Sequence, residues 1–204
     1  MRGFLNTKGK NNMRIITGSA RGISLRTLDG ELTRPTAERV KEAVFSMVQF
    51  ELEGRRVLDL FAGSGQLGLE ALSRGASSAV FVDSNTDACA VVRENALKTK
   101  LADRTVVLNI DAARYLKQSA GREKFDIVLI DPPYAAGLIP GMLQMLAEGD
   151  IIKDNGVIVC ESDKKTPFEL EGFNVRRHNR YGRIFVTLLE RSAPENDGAE
   201  EEQR

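Results

Sequence analysis

Residues 55–83 read "RRVLDLFAGSGQLGLEALSRGASSAVFVD". Two short apolar runs, each closing on an acid, flank a glycine-rich turn and a segment whose leucines recur at helical spacing. Short apolar runs bounded by turn signals are the mark of buried strands. A strand, a tight turn, a helix and a second strand form one crossover unit, and a crossover of that length joins parallel strands, because antiparallel neighbours need only a hairpin. This unit sets the fold class.

The alternation continues downstream. A helix is predicted near "TDACAVVRENALKTK", a strand at "TVVLNID", a short helix at "AARYLKQS", a strand at "FDIVLID", a helix near "IPGMLQMLAEGD" and a strand at "GVIVCES". After Pro167 the pattern changes: two strand-like stretches, 174–177 and 184–189, are joined by a turn at Tyr181 and Gly182, which predicts a terminal hairpin. Upstream, "MRIITGSARGISLRTL" reads as short β-structure with a Gly/Ser/Arg turn from Gly18 to Gly22. Thr36 stands as a candidate N-cap ahead of an amphipathic helix carrying Val40, Val44, Met47 and Val48. The expectation is an α/β protein with a doubly wound, mostly parallel seven-stranded sheet, a C-terminal antiparallel hairpin and a small N-terminal β/α extension. Its predicted organisation is a tail at 1–12, the extension at 13–50, a catalytic domain at 51–191 and a disordered acidic tail at 192–204.

Composition excludes several functions. With 42% apolar residues in 204, the chain can bury a core, and no run approaches the length of a membrane span or a signal-peptide core. It reads as a cytoplasmic protein away from any membrane, expected to be a monomer. Cys89 and Cys160 lack metal-ligand or redox spacing and read as reduced, packed thiols. A single histidine, His178, rules out a His-rich metal centre, and no metal is expected. The zero net charge hides an asymmetry: residues 1–41 hold nine Lys or Arg against three acids, whereas 190–204 hold six acids against two bases. A second basic cluster holds Arg176, Arg177, Arg180 and Arg183 around Tyr181. Each cluster alone is as well read as a solvated face; two flanking one core suit a polyanion.

"DLFAGSGQLG" places Gly63, Gly65 and Gly68 in G-x-G-x-x-G spacing between strand and helix, so that helix N–H groups face a ligand. Asp83, twenty residues beyond Gly63, ends the next strand, where a carboxylate can accept both hydroxyls of a ribose. The plain alternative is a tight turn followed by a capping acid. Asp59 distinguishes the ligand: a carboxylate just before the glycine loop would repel a pyrophosphate but suits a cationic amine. S-adenosylmethionine has that amine, a sulfonium, a ribose and no phosphate. Asp111, ending the third strand, is then placed for the adenine amino group with Ala112 alongside, or equally as an ordinary helix N-cap.

The fourth strand ends "LIDPPY", Leu129 to Tyr134. Two prolines stop the ladder and stiffen the exit, leaving Asp131 and Tyr134 at the sheet edge. In doubly wound sheets ligands sit at that edge. Asp131 and the Pro132 carbonyl can accept hydrogen bonds from a planar NH2 group, and Tyr134 offers a face on which a base can stack. The plain alternative is an Asp-Pro-Pro turn with a core tyrosine. An aspartate cannot ionise an exocyclic base amine beforehand, so positioning would dominate the chemistry.

Taken together, "DLFAGSGQLGLEALSRGA", "DPPY", "TRPTAERVKEAVFSMV" and "RYGR" resemble the RsmD family of bacterial ribosomal-RNA methyltransferases, within the class I enzymes that use S-adenosylmethionine. The likeness runs over about 13–189. It implies methylation of the exocyclic N2 of guanine 966 in 16S rRNA, on small-subunit assembly intermediates. It further implies that Asp59, Phe61, Ala62, Gly63, Ser64, Gly65, Asp83, Ser84, Asp111 and Ala112 hold the cofactor and that Asp131, Pro132, Pro133 and Tyr134 form the catalytic motif. Arg34, Thr36 and Arg39 would lie beside cofactor and base, and Arg21, Arg180, Tyr181 and Arg183 would touch RNA. Gln66 stands where a small residue is expected. Rival readings are a DNA adenine-N6 methyltransferase, a nicotinamide-dependent oxidoreductase and a catalytically silent nucleic-acid-binding module.

Overall fold

The computed structural model describes residues 13–28, 35–133 and 137–192; the side chains of 35–37 are outside the description. The predicted tail at 1–12, the predicted tail at 192–204 apart from Ser192, Arg34 and Tyr134 lie outside the described residues.

Among the described residues, five α-helices and seven strands follow in the order α1 Pro35–Met47, β1 Arg56–Asp59, α2 Gln66–Ser73, β2 Ser78–Asp83, α3 Thr86–Thr99, β3 Thr105–Asn109, α4 Ala112–Ser119, β4 Phe125–Ile130, α5 Ile139–Glu148, β5 Ile152–Ser162, β6 Phe173–Tyr181 and β7 Ile184–Arg191. The strands form one sheet in the order β3-β2-β1-β4-β5-β7-β6. The first five are parallel, and β7 enters antiparallel between β5 and β6. This is the fold of class I methyltransferases. The order reverses between β1 and β4, which creates the crevice at the carboxyl ends where such sheets bind ligands.

Period-two alternation distributes each strand to both faces. Val57, Phe81, Ile127, Leu129, Val157, Val159 and Leu188 join a core under α1, α2 and α3. Leu58, Val80, Val82, Val128, Ile130, Ile158 and Leu189 join a second core under α4 and α5. Gly68 is what lets α2 lie so close to β2, since a Cβ there would meet the Phe81 ring at 2.3 Å.

α1 begins at Pro35, so Thr36 falls inside its first turn and not at the cap the sequence suggested. Proline fits the first helical position, where its missing N–H would have no partner anyway. The predicted N-terminal β-structure is a single antiparallel bridge, Arg14 to Ser24, closed by the turn at Gly18 to Gly22. That turn is fastened to α2. The buried Glu70 carboxylate accepts the Ile16 and Thr17 N–H groups at 2.7 and 3.0 Å and the Arg74 Nε–H at 2.8 Å. Lys41, also buried, lies 3.8 Å from Glu70 and donates to the Arg14 carbonyl at 2.6 Å. Burial pulls the Lys41 pKa down, opposed by the charge of Glu70. Among the described residues no helix is long and apolar enough to cross a membrane.

Candidate active site

The carboxyl ends of β1 to β5 open onto a cleft of about 1750 Å3, lined by residues at or just beyond the ends of those five strands. Asp59, Phe61, Ala62 and Gly63 form one wall, Asp83 and Ser84 the next, then Asp111 with Ala112, and Asp131 with Pro132 and Pro133 face them. The cleft exceeds the few hundred Å3 that suffice for one small ligand, and so has room for a cofactor and a second group.

Three of these acids, Asp59, Asp83 and Asp111, are held by local backbone. At the end of β1, Asp59 is buried and its Oδ2 accepts the Gly68 N–H at 2.9 Å, across the first turn of α2. Its charge therefore sits at the positive end of that helix, the place a dinucleotide pyrophosphate would need. The two oxygens of Asp83 accept the Gly63 and Asn85 N–H groups at 2.9 and 2.8 Å. A carboxylate has about four lone-pair sites, so Asp83 keeps acceptor capacity toward the cleft. Asp111 caps α4, with Oδ1 accepting the Arg114 N–H at 3.0 Å, and lines the cleft as well.

The glycine loop is shaped from below. Gly65 has φ +78° and sits on Val92 and Phe81, where a Cβ would approach within 3.1 Å of the valine. Ser64 and Gly65 are buried beneath the loop and do not line the cleft, so their part would be to support it. Asn95 of α3 ties this loop to the N-terminal segment: its Nδ2 donates to the carbonyls of Ser64 and Arg26, each at 2.9 Å, and its Oδ1 accepts the Arg26 N–H at 2.8 Å. Nearby, Gln66 lines the cleft with a buried Oε1 that has no hydrogen-bond partner. An orphaned acceptor at the mouth of the loop fits a ligand rich in N–H and O–H donors.

Of the remaining predicted contacts, Arg183 lines the cleft, carried there by the β6–β7 turn. Arg180 is exposed, donates through Nε to the Gly182 carbonyl at 2.8 Å and lies over the Phe185 ring. Tyr181 is half-buried beside them, and Arg21 is exposed in the turn held by Glu70. Arg39 is exposed on α1 and outside the cleft lining. Arg176, a member of the same basic cluster, is committed elsewhere: it donates to the Met47 carbonyl at 3.1 Å and pairs with Glu51. His178 is structural, set between Thr187 and the Lys165 carbonyl and stacked on Phe185.

With this geometry in hand, residues 13–190 match the family described as "Conserved hypothetical protein 95". The chain belongs to that family, the RsmD family. A relative named "Ribosomal RNA small subunit methyltransferase D", from Haemophilus influenzae, is 36% identical over 79% of this chain and 83% of its own length. The solved structure of yhhF from Escherichia coli is 31% identical, covers 90% of this chain and 99% of that one, and superposes with a TM-score of 0.80. At 16% identity and a TM-score of 0.60, over 72% of this chain and 49% of that one, the fold alone is shared with SMU.776, which was solved in complex with SAH.

Four residues that position this RsmD-family site escaped the sequence reading. Lys41 and Asn95 are polar residues set in the apolar stripes of α1 and α3, and Glu70 lies between Leu69 and Ala71 in an otherwise apolar turn. A polar residue on a buried helical face is the signal that finds them. The fourth, Glu161, next to last in β5, has a buried carboxyl that lines the cleft. Burial, with the negative charges of Asp131 and Asp59, pushes that carboxyl well above the usual range.

Proposed function

We propose that the chain transfers a methyl group from S-adenosylmethionine to the exocyclic N2 amine of a guanine in small-subunit ribosomal RNA, at position 966 as the family resemblance implies. It would act as a cytoplasmic monomer on assembly intermediates. The observation that carries this reading is that one cleft holds both the glycine loop with Asp83 and the rigid Asp131–Pro132 acceptor pair. Two halves of a group transfer need to share one space. Family membership and the relative's name supply the substrate class.

When bound, S-adenosylmethionine supplies an electrophilic methyl on a sulfonium. Asp83 would accept the ribose hydroxyls, Asp111 with Ala112 would face the adenine, and Asp59, behind the loop, would favour the cationic amine. Gln66 Oε1 offers a further acceptor. Asp131 and the Pro132 carbonyl would take the two N–H groups of the guanine amine, turning its lone pair toward the methyl. Pro132 is buried, and proline fixes φ, so this acceptor pair is stiff before the base arrives. A base stacked in a helix would have to leave it to reach this edge. Asp59 weighs against the oxidoreductase reading, because its carboxylate occupies the helix terminus a pyrophosphate would use.

Tritiated S-adenosylmethionine, incubated with the protein and unmodified small ribosomal particles, should label a nucleoside that migrates as N2-methylguanosine after digestion. Label on adenine N6, or binding of NADH with no binding of S-adenosylmethionine, would overturn the proposal. Asp83→Ala should raise the cofactor dissociation constant about tenfold or more, the worth of a charge-assisted hydrogen-bond pair. Replacing Arg180 and Arg183 together should weaken RNA binding and reduce its salt slope by up to about 2.

A further inference from the structure

The basic surface at the carboxyl end of the sheet does not stop at the β6–β7 turn. Across the strands Cys160, Thr187 and His178 stand abreast, and so do Ser162, Phe185 and Arg180. Cys160 belongs to the core under α4 and α5, so alternation sends Thr187, His178, Phe185 and Arg180 to that same face. Tyr181 and Ile184 pack against the core on the opposite face. Arg180 and Tyr181, adjacent in sequence, therefore look to different sides of the sheet, while Arg183 lines the cleft.

Beside Arg180 on the α4/α5 face runs the connection from β5 to β6, whose first residues include the exposed Lys164 and Lys165. This segment is fastened at three points. The Lys164 N–H donates to Ser162 Oγ at 3.3 Å, Lys164 Nζ lies 5.5 Å from the centre of the buried Phe168 ring, and His178 Nε2 bonds the Lys165 carbonyl at 3.0 Å. A carbonyl only accepts, so Nε2 carries a proton, and in the neutral ring Nδ1 accepts the Thr187 hydroxyl at 2.9 Å. His178 also stacks on Phe185, and Arg180 lies over that same ring. The histidine is thus a post that ties the lysine-bearing segment to the arginine-bearing strand.

The charges on this frame are uncommitted. Among the described residues no carboxylate forms an ion pair with Lys164, Lys165, Arg180 or Arg183, whereas Arg55, Arg56, Lys124, Lys153 and Arg191, at the amino end of the parallel strands, each meet an acid. Of the acids in the same connection, Asp163 lines the cleft. Glu169 and Glu171 follow Pro167 on the way to Phe173, which pairs with Arg191 at the far end of the sheet. Four cations with no ion pair, set along one rim by hydrogen bonds and ring contacts, suit a polyanion.

We propose that Lys164 and Lys165, held in place by His178, carry the RNA-binding surface from Arg183 at the cleft across the carboxyl rim of the sheet and onto the face of α4 and α5, where they contact phosphates flanking the target nucleotide. The identity of the partner rests on the ribosomal-RNA reading above; the surface rests on the geometry. His178 is a positioning residue here, and the lysines are the contacts.

Filter binding of the full-length protein to unmodified small ribosomal particles, over a series of salt concentrations, tests this. Lys164→Ala with Lys165→Ala should weaken binding about tenfold or more near ~0.1 M salt and reduce the salt slope by about 1 to 1.5, as expected for two lost phosphate contacts. The dissociation constant for S-adenosylmethionine should not change. Lys98→Ala with Lys117→Ala removes the same charge from the last turns of α3 and α4, toward the other end of the sheet, and should leave affinity and slope as in the wild type. An equal loss in that pair would reduce the effect to bulk charge and overturn the proposal. So would wild-type affinity and slope in the Lys164/Lys165 variant, even if the protein methylates RNA as read. His178→Ala leaves all four cations in place but should weaken binding, and the two lysine substitutions should then cost less than they do in the wild type. His178→Gln, whose amide can donate to the Lys165 carbonyl, should recover part of that loss; strictly additive losses would overturn the tether. Particles bound through the lysines, with no methyl group transferred to any RNA, would instead sink the methyl-transfer reading and leave the surface standing.

Discussion

The two ends of the sheet use carboxylates in opposite ways. At the amino end of β4, Asp126 accepts the Arg56 N–H at 2.8 Å, Arg55 Nη1 at 3.0 Å and Lys153 Nζ at 2.9 Å. Burial alone would raise its pKa, but the Arg56 N–H, Lys153 and Arg55 outweigh it and hold the carboxyl below the usual range. Asp150, at the same end, is bracketed by Lys124 and Arg191, each at 2.8 Å. At the carboxyl end, Asp59, Asp131 and Glu161 crowd one corner, and Glu161 is pushed the other way. A fold satisfies its charges where only stability is at stake. Where acids are gathered at the edge of a cleft, further donors are expected to come from ligands.

The sharpest way to break this contrast is Asp131→Ala. If the carboxyl end is built for ligands, removal of this acceptor should slow methyl transfer at least a hundredfold, about 3 kcal/mol at the barrier, while the cofactor dissociation constant changes little. Single-turnover transfer with saturating S-adenosylmethionine measures it. Near-normal turnover would reduce the acid cluster to an accident of packing. The same variant should lose little stability, since it also relieves repulsion.

At the amino end the effect should lie in stability alone. Asp126→Asn keeps the shape and removes the charge that three donors address, so urea unfolding should show a loss of about 2–3 kcal/mol, with transfer kinetics unchanged where the protein is folded. The pH dependence has a definite sign. A carboxyl held below its unfolded-chain pKa contributes stability that is present above the usual aspartate range and is lost as pH falls through the depressed value. The wild type should therefore lose more stability than Asp126→Asn over that acid window. Parallel acid limbs would show the three contacts to be without net worth.

Most of the carboxyl end was legible in the sequence because strand-end acids, glycine spacing and the proline pair are local features. Asp59, Asp83, Asp111 and Asp131 each follow an apolar run, and a parallel sheet brings all such ends to one edge. Even the alternative roles were readable: Asp111 does cap α4. What local pattern could not give is who meets whom across the sheet. The Glu70 clamp on Ile16 and Thr17 spans more than fifty residues, and the Asn95 bridge to Arg26 nearly seventy. Glu161 looked like the polar end of a strand, and only the pairing of Ile130 with Cys160 sets it beside Asp131. The cap of α1 was missed by a short step for a different reason, since Thr36 and Pro35 both signal a helix start and proline took the first position.

The smallest expected effect sharpens the comparison from the other side. Glu161 is an acid whose native pKa is raised, so over the window between the ordinary glutamate range and that raised value the unfolded chain has released a proton the native state still holds. Folding takes up that proton, and stability declines as pH rises through the window, the reverse of Asp126. Glu161→Gln abolishes the uptake. The variant should match the wild type near pH 4 and become more stable than it as pH rises, by about 1 kcal/mol at neutral pH, the scale seen when a buried ionisable group is replaced by a neutral one of the same shape. Thermal unfolding across that pH range reads the divergence directly. A gap that is constant with pH would mean that the amide merely packs better, whereas a gap that widens assigns the difference to the proton.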